Sequence, residues 1–202
     1  AAINAEAARI MTGQGKNALQ LLTERPAQMS DQVADRNIGA FATKLRIEVS
    51  IERQTLELLD ASGHELKRYS VSTAKNGPGE VKNSFCTPRG RHIVRAKIGA
   101  GQVENTVFVR RRPTGEVWTR ALYEKFPGRD WILTRILWLS GCEPGFNRLG
   151  NVDTMQRYIY IHGSHEFAEM GKPGSIGCIR MRSADIIELF DLVPAGTPVN
   201  IT

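Results

Sequence analysis

The feature that most constrains the fold is a run of alternating residues that begins near position 45. Every second residue is apolar in the following set: Leu45, Ile47, Val49 and Ile51. This period of two is typical of a half-buried β-strand. Leu56 and Leu58 continue the strand. Residues 61–63, Ala-Ser-Gly, then predict a hairpin turn, and alternation resumes at residues 69–73. An antiparallel meander is the natural solution for such a pattern.

Shorter runs of the same kind continue towards the end of the chain. They predict five further strands, at residues 91–97, 106–110, 117–122, 131–139 and 157–162. The period then changes, and Ser183 is a candidate N-cap for a short helix that ends at Pro194. A last strand follows at residues 197–201. Because no regular alternation of strands and helices occurs, the sequence predicts a mostly β domain with short helices and disfavours a parallel nucleotide-binding sheet.

Residues 1–44 have a different character. They are rich in alanine and glutamine, and glycine and proline interrupt them at Gly13, Gly15 and Pro26. This composition predicts short helices. We therefore divide the chain into an N-terminal segment, residues 1–44, and a β-rich domain, residues 45–202. The segment is interpreted as a helical appendage, a docking segment for a partner, or sequence added for expression.

Charge and cysteine content limit the classes of function. The 202 residues carry a net charge of +6, which suits an anionic partner. The densest basic cluster, RRRP at residues 110–113, lacks interleaved aromatic residues, so we interpret it as a solvated strand end and expect no nucleic-acid binding. No apolar run is long enough for a transmembrane segment, and the first ten residues do not resemble a signal peptide. Three cysteines cannot all pair, so at least one thiol is free.

The segment IHGSHEFAEMGKPGSIGCIRM, residues 161–181, carries the candidate chemistry. A strand would bring His162 to its end, beside a cleft. Cys178 follows sixteen positions later, after a glycine that allows the Gly177 and Cys178 amides to converge as an oxyanion hole. A neighbouring histidine lowers the pKa of a cysteine by taking its proton, which gives a thiolate nucleophile. Arg180 would place a fixed positive charge nearby for a substrate carboxylate.

Two other interpretations of these residues stay open. A single cysteine is usually a small buried apolar residue, and a single histidine is usually a hydrogen-bonded structural one. A zinc site is a further alternative, with these candidate ligands: His162, His165, Glu166 and Cys178. Two histidines three positions apart, directly after a strand, do not match the usual paired spacing. We therefore expect no metal.

From His162 to Met181 the sequence reads HGS, then a glycine-rich connection, then SxGCIRM. This pattern resembles the signature of the L,D-transpeptidase (YkuD-like) catalytic domain. Supporting matches are YSVST at residues 69–73, TPRG at 87–90 and GTPV at 196–199. The resemblance covers residues 45 to 202. It implies a β-sandwich or barrel-like catalytic domain and no metal or organic cofactor.

The resemblance also implies cysteine-dependent acyl transfer on peptidoglycan stem peptides. Cys178 would attack the carbonyl of the L,D-linked diamino acid in a tetrapeptide and release the terminal D-alanine. His162 would be the general base. The resemblance implies supporting roles for four more residues, in substrate binding, the oxyanion hole or orientation of the imidazole: Arg180, Gly177, Ser175 and Ser164.

One departure from the family pattern affects the acceptor. Many members have a histidine where this chain has Ile176, and His165 is the nearest alternative imidazole. The acceptor is therefore open: an amine makes a transpeptidase and water makes an L,D-carboxypeptidase. A peptidoglycan-binding module without turnover is a third alternative. The family resemblance favours the cell envelope or periplasm, whereas unpaired cysteines and the lack of a signal-like start favour the cytoplasm.

Overall fold

The computed structural model describes residues 45–202. These residues form one ten-stranded sheet, curled into a half-barrel, two short α-helices and one 3₁₀ helix (Gly150–Val152). The strands are β1 (Arg46–Ser50), β2 (Thr55–Leu59), β3 (Glu65–Ser70), β4 (Gly90–Ile98), β5 (Thr106–Val109), β6 (Arg112–Val117), β7 (Ile132–Gly141), β8 (Tyr160–Ser164), β9 (Ile179–Arg182) and β10 (Pro198–Ile201). The helices are α1 (Arg120–Lys125) and α2 (Ser183–Leu192). The predicted mostly β class is confirmed. The predicted N-terminal helices lie outside the described residues.

The sheet follows the order β3-β2-β1-β10-β4-β7-β5-β6, and β8 and β9 branch from β7. Most neighbours are antiparallel, as the meander pattern predicts. Two pairs are parallel: β1 with β10, and β8 with β9. The second pair positions the candidate site, because it sets the two halves of the HGS and GCIRM motif side by side. No helix within residues 45–202 is both long and apolar enough to cross a membrane.

Several local predictions were wrong, and three of them concern strands. Leu56 does not extend the first strand, because β1 ends at Ser50 and the chain reverses through residues 51–54. The apolar positions shift there from odd to even numbers, which marks the break. At Val117, β6 ends and α1 soon begins, since the Thr119 hydroxyl accepts the Leu122 amide as an N-cap. The strand predicted at 157–162 starts only at Tyr160.

Helix α2 covers the functional strands from one side. Ile186, Leu189 and Phe190 are buried in the same core as Ile161 and Ile179. The predicted helix is confirmed. The N-cap is Arg182 rather than Ser183, and the Ser183 hydroxyl lies 2.7 Å from the Thr134 hydroxyl and donates to Asn105 Oδ1. This packing fixes one face of β8 and β9, so their other face is free to form a site.

Candidate active site

Strand register brings the two predicted catalytic residues to one face of the sheet. In the parallel pair β8 and β9, Ile161 lies beside Ile179, and His162 lies beside Arg180. Successive side chains alternate between faces, so the two isoleucines pack on the core while His162 and Arg180 face the opposite way. Cys178 lies in the bend just before β9, two residues before Arg180, and its packing places it on the same side of the sheet. It packs against the apolar cluster that contains Tyr160.

His162 is a fully buried imidazole in the middle of β8, not at the strand end. Its Nδ1 lies 2.8 Å from the Gly163 carbonyl oxygen. Because a carbonyl only accepts, Nδ1 carries the proton and Nε2 keeps its lone pair. Nε2 is buried and has no hydrogen-bond partner within residues 45–202. Burial lowers the pKa of His162 to about 4, with Arg180 acting in the same direction. The imidazole is therefore a neutral base at pH 7.

Cys178 is only partly buried and lines a cleft, yet its sulfur lies in surroundings that penalise charge, so the thiol keeps its proton. Burial raises its pKa to about 12, and the charge of Asp130 adds to this effect. A backbone hydrogen bond from Tyr160 and the charges of Arg180 and Arg157 act in the opposite direction, but they are weaker causes. The sequence favoured a thiolate beside an imidazolium. In the resting protein the balance favours a neutral thiol and a neutral imidazole, because both groups lie in an environment that penalises charge.

The loop before Cys178 is shaped by one glycine and one serine. Gly177 has φ +134, a conformation that L side chains rarely adopt, and a Cβ there would lie 3.1 Å from Ile159 Cδ1. The Ser175 hydroxyl accepts the Gly177 amide at 3.2 Å and donates to the Cys178 carbonyl at 2.5 Å. The Gly177 amide is therefore already engaged, which leaves the Cys178 amide as the better candidate of the two for an oxyanion hole.

Two upstream motifs hold this loop in place. The Thr87 hydroxyl donates to the Gly177 carbonyl at 2.9 Å and accepts the Ala74 amide at 2.9 Å. Ser72 and Arg180 exchange backbone hydrogen bonds, and the Ser175 amide donates to the Thr73 carbonyl. The TPRG and YSVST segments are distant from Cys178 in sequence. Their contribution is to fix the backbone that presents the thiol.

Arg180 is paired rather than free. Its Nη2 donates to Asp130 Oδ1 at 2.8 Å, and its Nη1 donates to the Gly174 carbonyl at 3.1 Å. Any substrate carboxylate must therefore share this guanidinium with Asp130. The sequence did not single out Asp130, because it lies 50 positions from its partner and in no motif. Only the packing of the residues after α1 against β9 brings it to the site.

The remaining predicted residues, Ser164 and His165, make no hydrogen bond with Cys178. Ser164 is buried at the end of β8, and its hydroxyl has no partner among the described residues. The His165 ring stacks on Trp118, with centroids 5.9 Å apart, in an aromatic cluster. Within residues 45–202, no three His, Cys, Asp or Glu side chains are grouped closely enough to hold a metal ion. The four residues of the zinc alternative are therefore not brought together.

Two clefts meet at the site. The first has a volume of about 470 Å³ and includes Cys178 in its wall. The second has a volume of about 480 Å³ and includes Arg180 and His165. Both are lined by Asp130 and Ile176. Ile176 is 55% exposed and lies at the boundary between them. The arrangement gives one thiol and one neutral base with room for two substrates.

Known proteins resemble this chain over most of its β-rich domain. A family model described as the L,D-transpeptidase catalytic domain (YkuD) matches residues 44–201. The putative L,D-transpeptidase YqjB of Bacillus subtilis strain 168 is 29% identical over 155 residues, which cover 76% of this chain and 70% of the relative. The putative L,D-transpeptidase YkuD of Bacillus licheniformis is 50% identical over 47 residues, which cover 23% of this chain and 28% of the relative.

The solved structures that resemble this chain are more distant in sequence. An L,D-transpeptidase from Mycobacterium smegmatis is 16% identical, with a TM-score of 0.46, and the match covers 79% of this chain and 58% of that one. An Enterococcus faecium L,D-transpeptidase C442S mutant is 18% identical, with a TM-score of 0.47, and the match covers 79% of this chain and 50% of that one. The chain thus spans less than two thirds of the length of these proteins.

Proposed function

This chain belongs to the L,D-transpeptidase catalytic domain family, and from that premise we propose that it transfers acyl groups of peptidoglycan stem peptides through a thioester on Cys178. The observation that carries the proposal is the state of His162. Its Nδ1 is committed to the Gly163 carbonyl, and its buried Nε2 has no partner within residues 45–202, on the sheet face that Cys178 shares. An orphaned buried nitrogen is costly unless it has a role.

The proposed chemistry begins from the neutral pair. As the Cys178 sulfur attacks the carbonyl carbon of the diamino acid, the thiol proton moves to His162 Nε2. The tetrahedral intermediate collapses, the bond to the terminal D-alanine breaks, and the imidazolium returns the proton to the leaving amine. A thioester remains. An acceptor amine then attacks the thioester carbonyl, His162 takes the amine proton, and the sulfur leaves and is reprotonated.

The two clefts offer separate routes to the sulfur. We propose that the acyl donor occupies the cleft whose wall contains Cys178 and that the acceptor approaches through the cleft that contains Arg180 and His165. Arg180, held by Asp130 and the Gly174 carbonyl, orients the substrate through its remaining N–H groups and its charge. If water replaces the amine in the second step, the same site works as an L,D-carboxypeptidase.

Mass spectrometry of the products from a defined stem tetrapeptide tests the proposal. We expect loss of D-alanine and a thioester adduct on Cys178, and a cross-linked product when a diamino-acid acceptor is added. Cys178→Ala and His162→Ala should each abolish turnover, since residues that act as one unit are not additive. Cys142→Ser is the matched control, because this free thiol lines neither cleft.

Several results would contradict the proposal. Turnover that survives Cys178→Ala, or that is lost in Cys142→Ser, would refute the assignment of the nucleophile. A carbapenem should also label the protein at Cys178 alone. Binding of the tetrapeptide without any turnover or labelling would favour the alternative of a binding module.

A further inference from the structure

The cleft that contains Cys178 has an unbalanced charge. Its wall includes four cationic side chains: Lys82, Arg110, Arg111 and Arg157. None of the four forms an ion pair with a carboxylate of residues 45–202. The acidic residue in the wall is Asp130, and it is paired with Arg180 at 2.8 Å. A cleft lined by one sign of charge attracts a ligand of the opposite sign.

Two of these cations sit in a strained turn. Arg110 and Arg111 link β5 to β6, where Val109 pairs with Arg112, and they have φ values of 49 and 68. A two-residue turn of this kind normally uses glycine or asparagine, because left-handed φ costs other residues about 1–2 kcal/mol each. Strain of this kind persists where the surrounding structure supports it and tends to cluster at functional sites. Here it places two guanidinium groups at the cleft.

The four cations differ in how freely they can bind a ligand. The Arg157 guanidinium is committed to the carbonyls of Gly79, Glu80 and Cys86, so it contributes charge and holds the neighbouring loop. Within the described residues, the side chains of Lys82 and Arg110 make no hydrogen bond. These two are therefore available to bind an anionic group.

The guanidinium of Arg111 is fixed in orientation but not saturated. It lies 4.4 Å from the centroid of the Trp138 ring and 4.9 Å from that of Tyr158, and its Nη1 donates to the Tyr160 hydroxyl at 3.1 Å. Stacking on aromatic rings holds a guanidinium without neutralising its charge. Four of its five N–H groups make no hydrogen bond with residues 45–202, so they remain for a planar acceptor such as a carboxylate.

We propose that Lys82, Arg110 and Arg111 recognise free carboxylates of the acyl donor, and that the enzyme discriminates against donors in which those carboxyl groups are amidated. This inference rests on the proposed function, because it assumes that the donor occupies this cleft. A stem peptide offers suitable groups: a γ-linked glutamyl residue keeps its α-carboxyl group, and a diaminopimelate-type residue has a second one. Amidation removes the charge and leaves a carboxamide of nearly the same shape.

The test uses two tetrapeptides that differ only at these two groups, which are carboxylates in one and carboxamides in the other. Binding of each to Cys178→Ala protein is measured by calorimetry, and turnover of each by the unmodified enzyme is followed by mass spectrometry. We expect the carboxylate donor to bind at least about tenfold more tightly, the size of one charge-assisted contact. The advantage should shrink as salt is added, because surface charges are screened.

Substitutions locate the source of the preference. Lys82→Gln and Arg110→Gln should each reduce the advantage of the carboxylate donor by about threefold or more, within the range of a partly exposed ionic contact, and should leave the amidated donor unchanged. Arg112→Gln is the matched control, because Arg112 is an exposed cation on the same hairpin but does not line the cleft. It should leave the binding of both donors unchanged.

The outcomes separate this inference from the proposed function. Equal binding of the two donors, or an equal loss for both in Lys82→Gln and Arg110→Gln, overturns the inference. So does competition by inorganic phosphate as strong as that by the carboxylate donor, which would indicate an unselective anion surface. If both donors are turned over equally, the inference fails while the proposed function stands. If the carboxylate donor binds more tightly but neither donor is turned over, the inference stands while the proposed function fails.

Discussion

Mild acid should destabilise this domain through two buried histidines. His162 lies on β8 and His92 on β4, and both are almost completely inaccessible to solvent. Burial lowers the pKa of each to about 4, well below the ordinary value of 6.5. In the unfolded chain both imidazoles become protonated near pH 6.5, whereas in the folded domain they stay neutral until about pH 4. Between these values the unfolded state binds more protons, so stability falls as the pH is lowered.

The size of the effect follows from the two pKa values. Between pH 7 and pH 5, each histidine should reduce the free energy of unfolding by roughly 2 kcal/mol, and the two together by roughly 4 kcal/mol. This is a large part of the stability of an ordinary domain, which is about 5–15 kcal/mol. Burial also lowers the pKa of His165, so its contribution has the same sign. The pKa of Glu80 is lowered as well, so this carboxyl group stays ionised across the interval.

Urea denaturation at several pH values, followed by tryptophan fluorescence, measures this dependence. His92→Gln and His162→Gln should each remove about half of the loss, and the double variant should remove nearly all of it, relative to its own stability at pH 7. The His92 ring contacts the Gly90 carbonyl and the Thr154 hydroxyl, and it makes no hydrogen bond with a residue of the candidate site. His92→Gln therefore controls for effects that arise in the active site. A free energy of unfolding that is unchanged between pH 7 and pH 5 would refute the reasoning.

Three further predictions concern the site and its supporting strands. Iodoacetamide at pH 8 should alkylate Cys178 of the folded protein roughly 30-fold more slowly than in denaturant, because a pKa of about 12 in place of 9.0 removes most of the thiolate, while the remaining thiolate is more nucleophilic; peptide mass spectrometry gives both rates, and similar rates would contradict the neutral thiol. Gly163→Ala would place a Cβ 2.8 Å from the Leu133 carbonyl oxygen, so it should lower the free energy of unfolding by about 1–3 kcal/mol and displace β8. Gly128→Ala is the control, because a Cβ there meets nothing within 4 Å and should leave the stability unchanged. Arg110→Asn should raise the melting temperature by about 2–4 °C, because asparagine tolerates the left-handed turn; calorimetry that shows no rise would argue against strain there.

The sequence predicts best those strands and helices in which apolar residues recur at a regular spacing over several residues. Strand β1 and helix α2 each bury one face, so their apolar residues recur at the spacing of the structure. Strand β9 was not predicted, because four residues directly after a glycine-rich loop are too few to show a period. The strand predicted at 117–122 failed because the helix that replaces it is set by the cap at Thr119, which is a single side chain.

The site was predictable only where its residues form a local motif. His162 and Cys178 share one continuous stretch, so the sequence could link them, and the pairing of β8 with β9 sets His162 beside Arg180, two residues after Cys178. Asp130 and the cations of the cleft come from other parts of the chain, so no spacing rule could connect them with the thiol. The neutral state of the resting pair was also missed, because a pKa depends on burial and burial is a property of the packed domain.

The position of β10 has a consequence for how the protein is made. This strand lies between β1 and β4, parallel to one and antiparallel to the other, so residues 198–201 join β1 to the centre of the sheet although about 150 positions separate them in sequence. Contacts between residues so distant in sequence slow folding, since a long loop must close before they form. During translation, β1 to β3 therefore wait without a partner on one edge until residue 201 has left the ribosome. A nascent chain stalled between β9 and β10 exposes an unpaired strand to its neighbours on a polysome, which makes a stall there a route to aggregation.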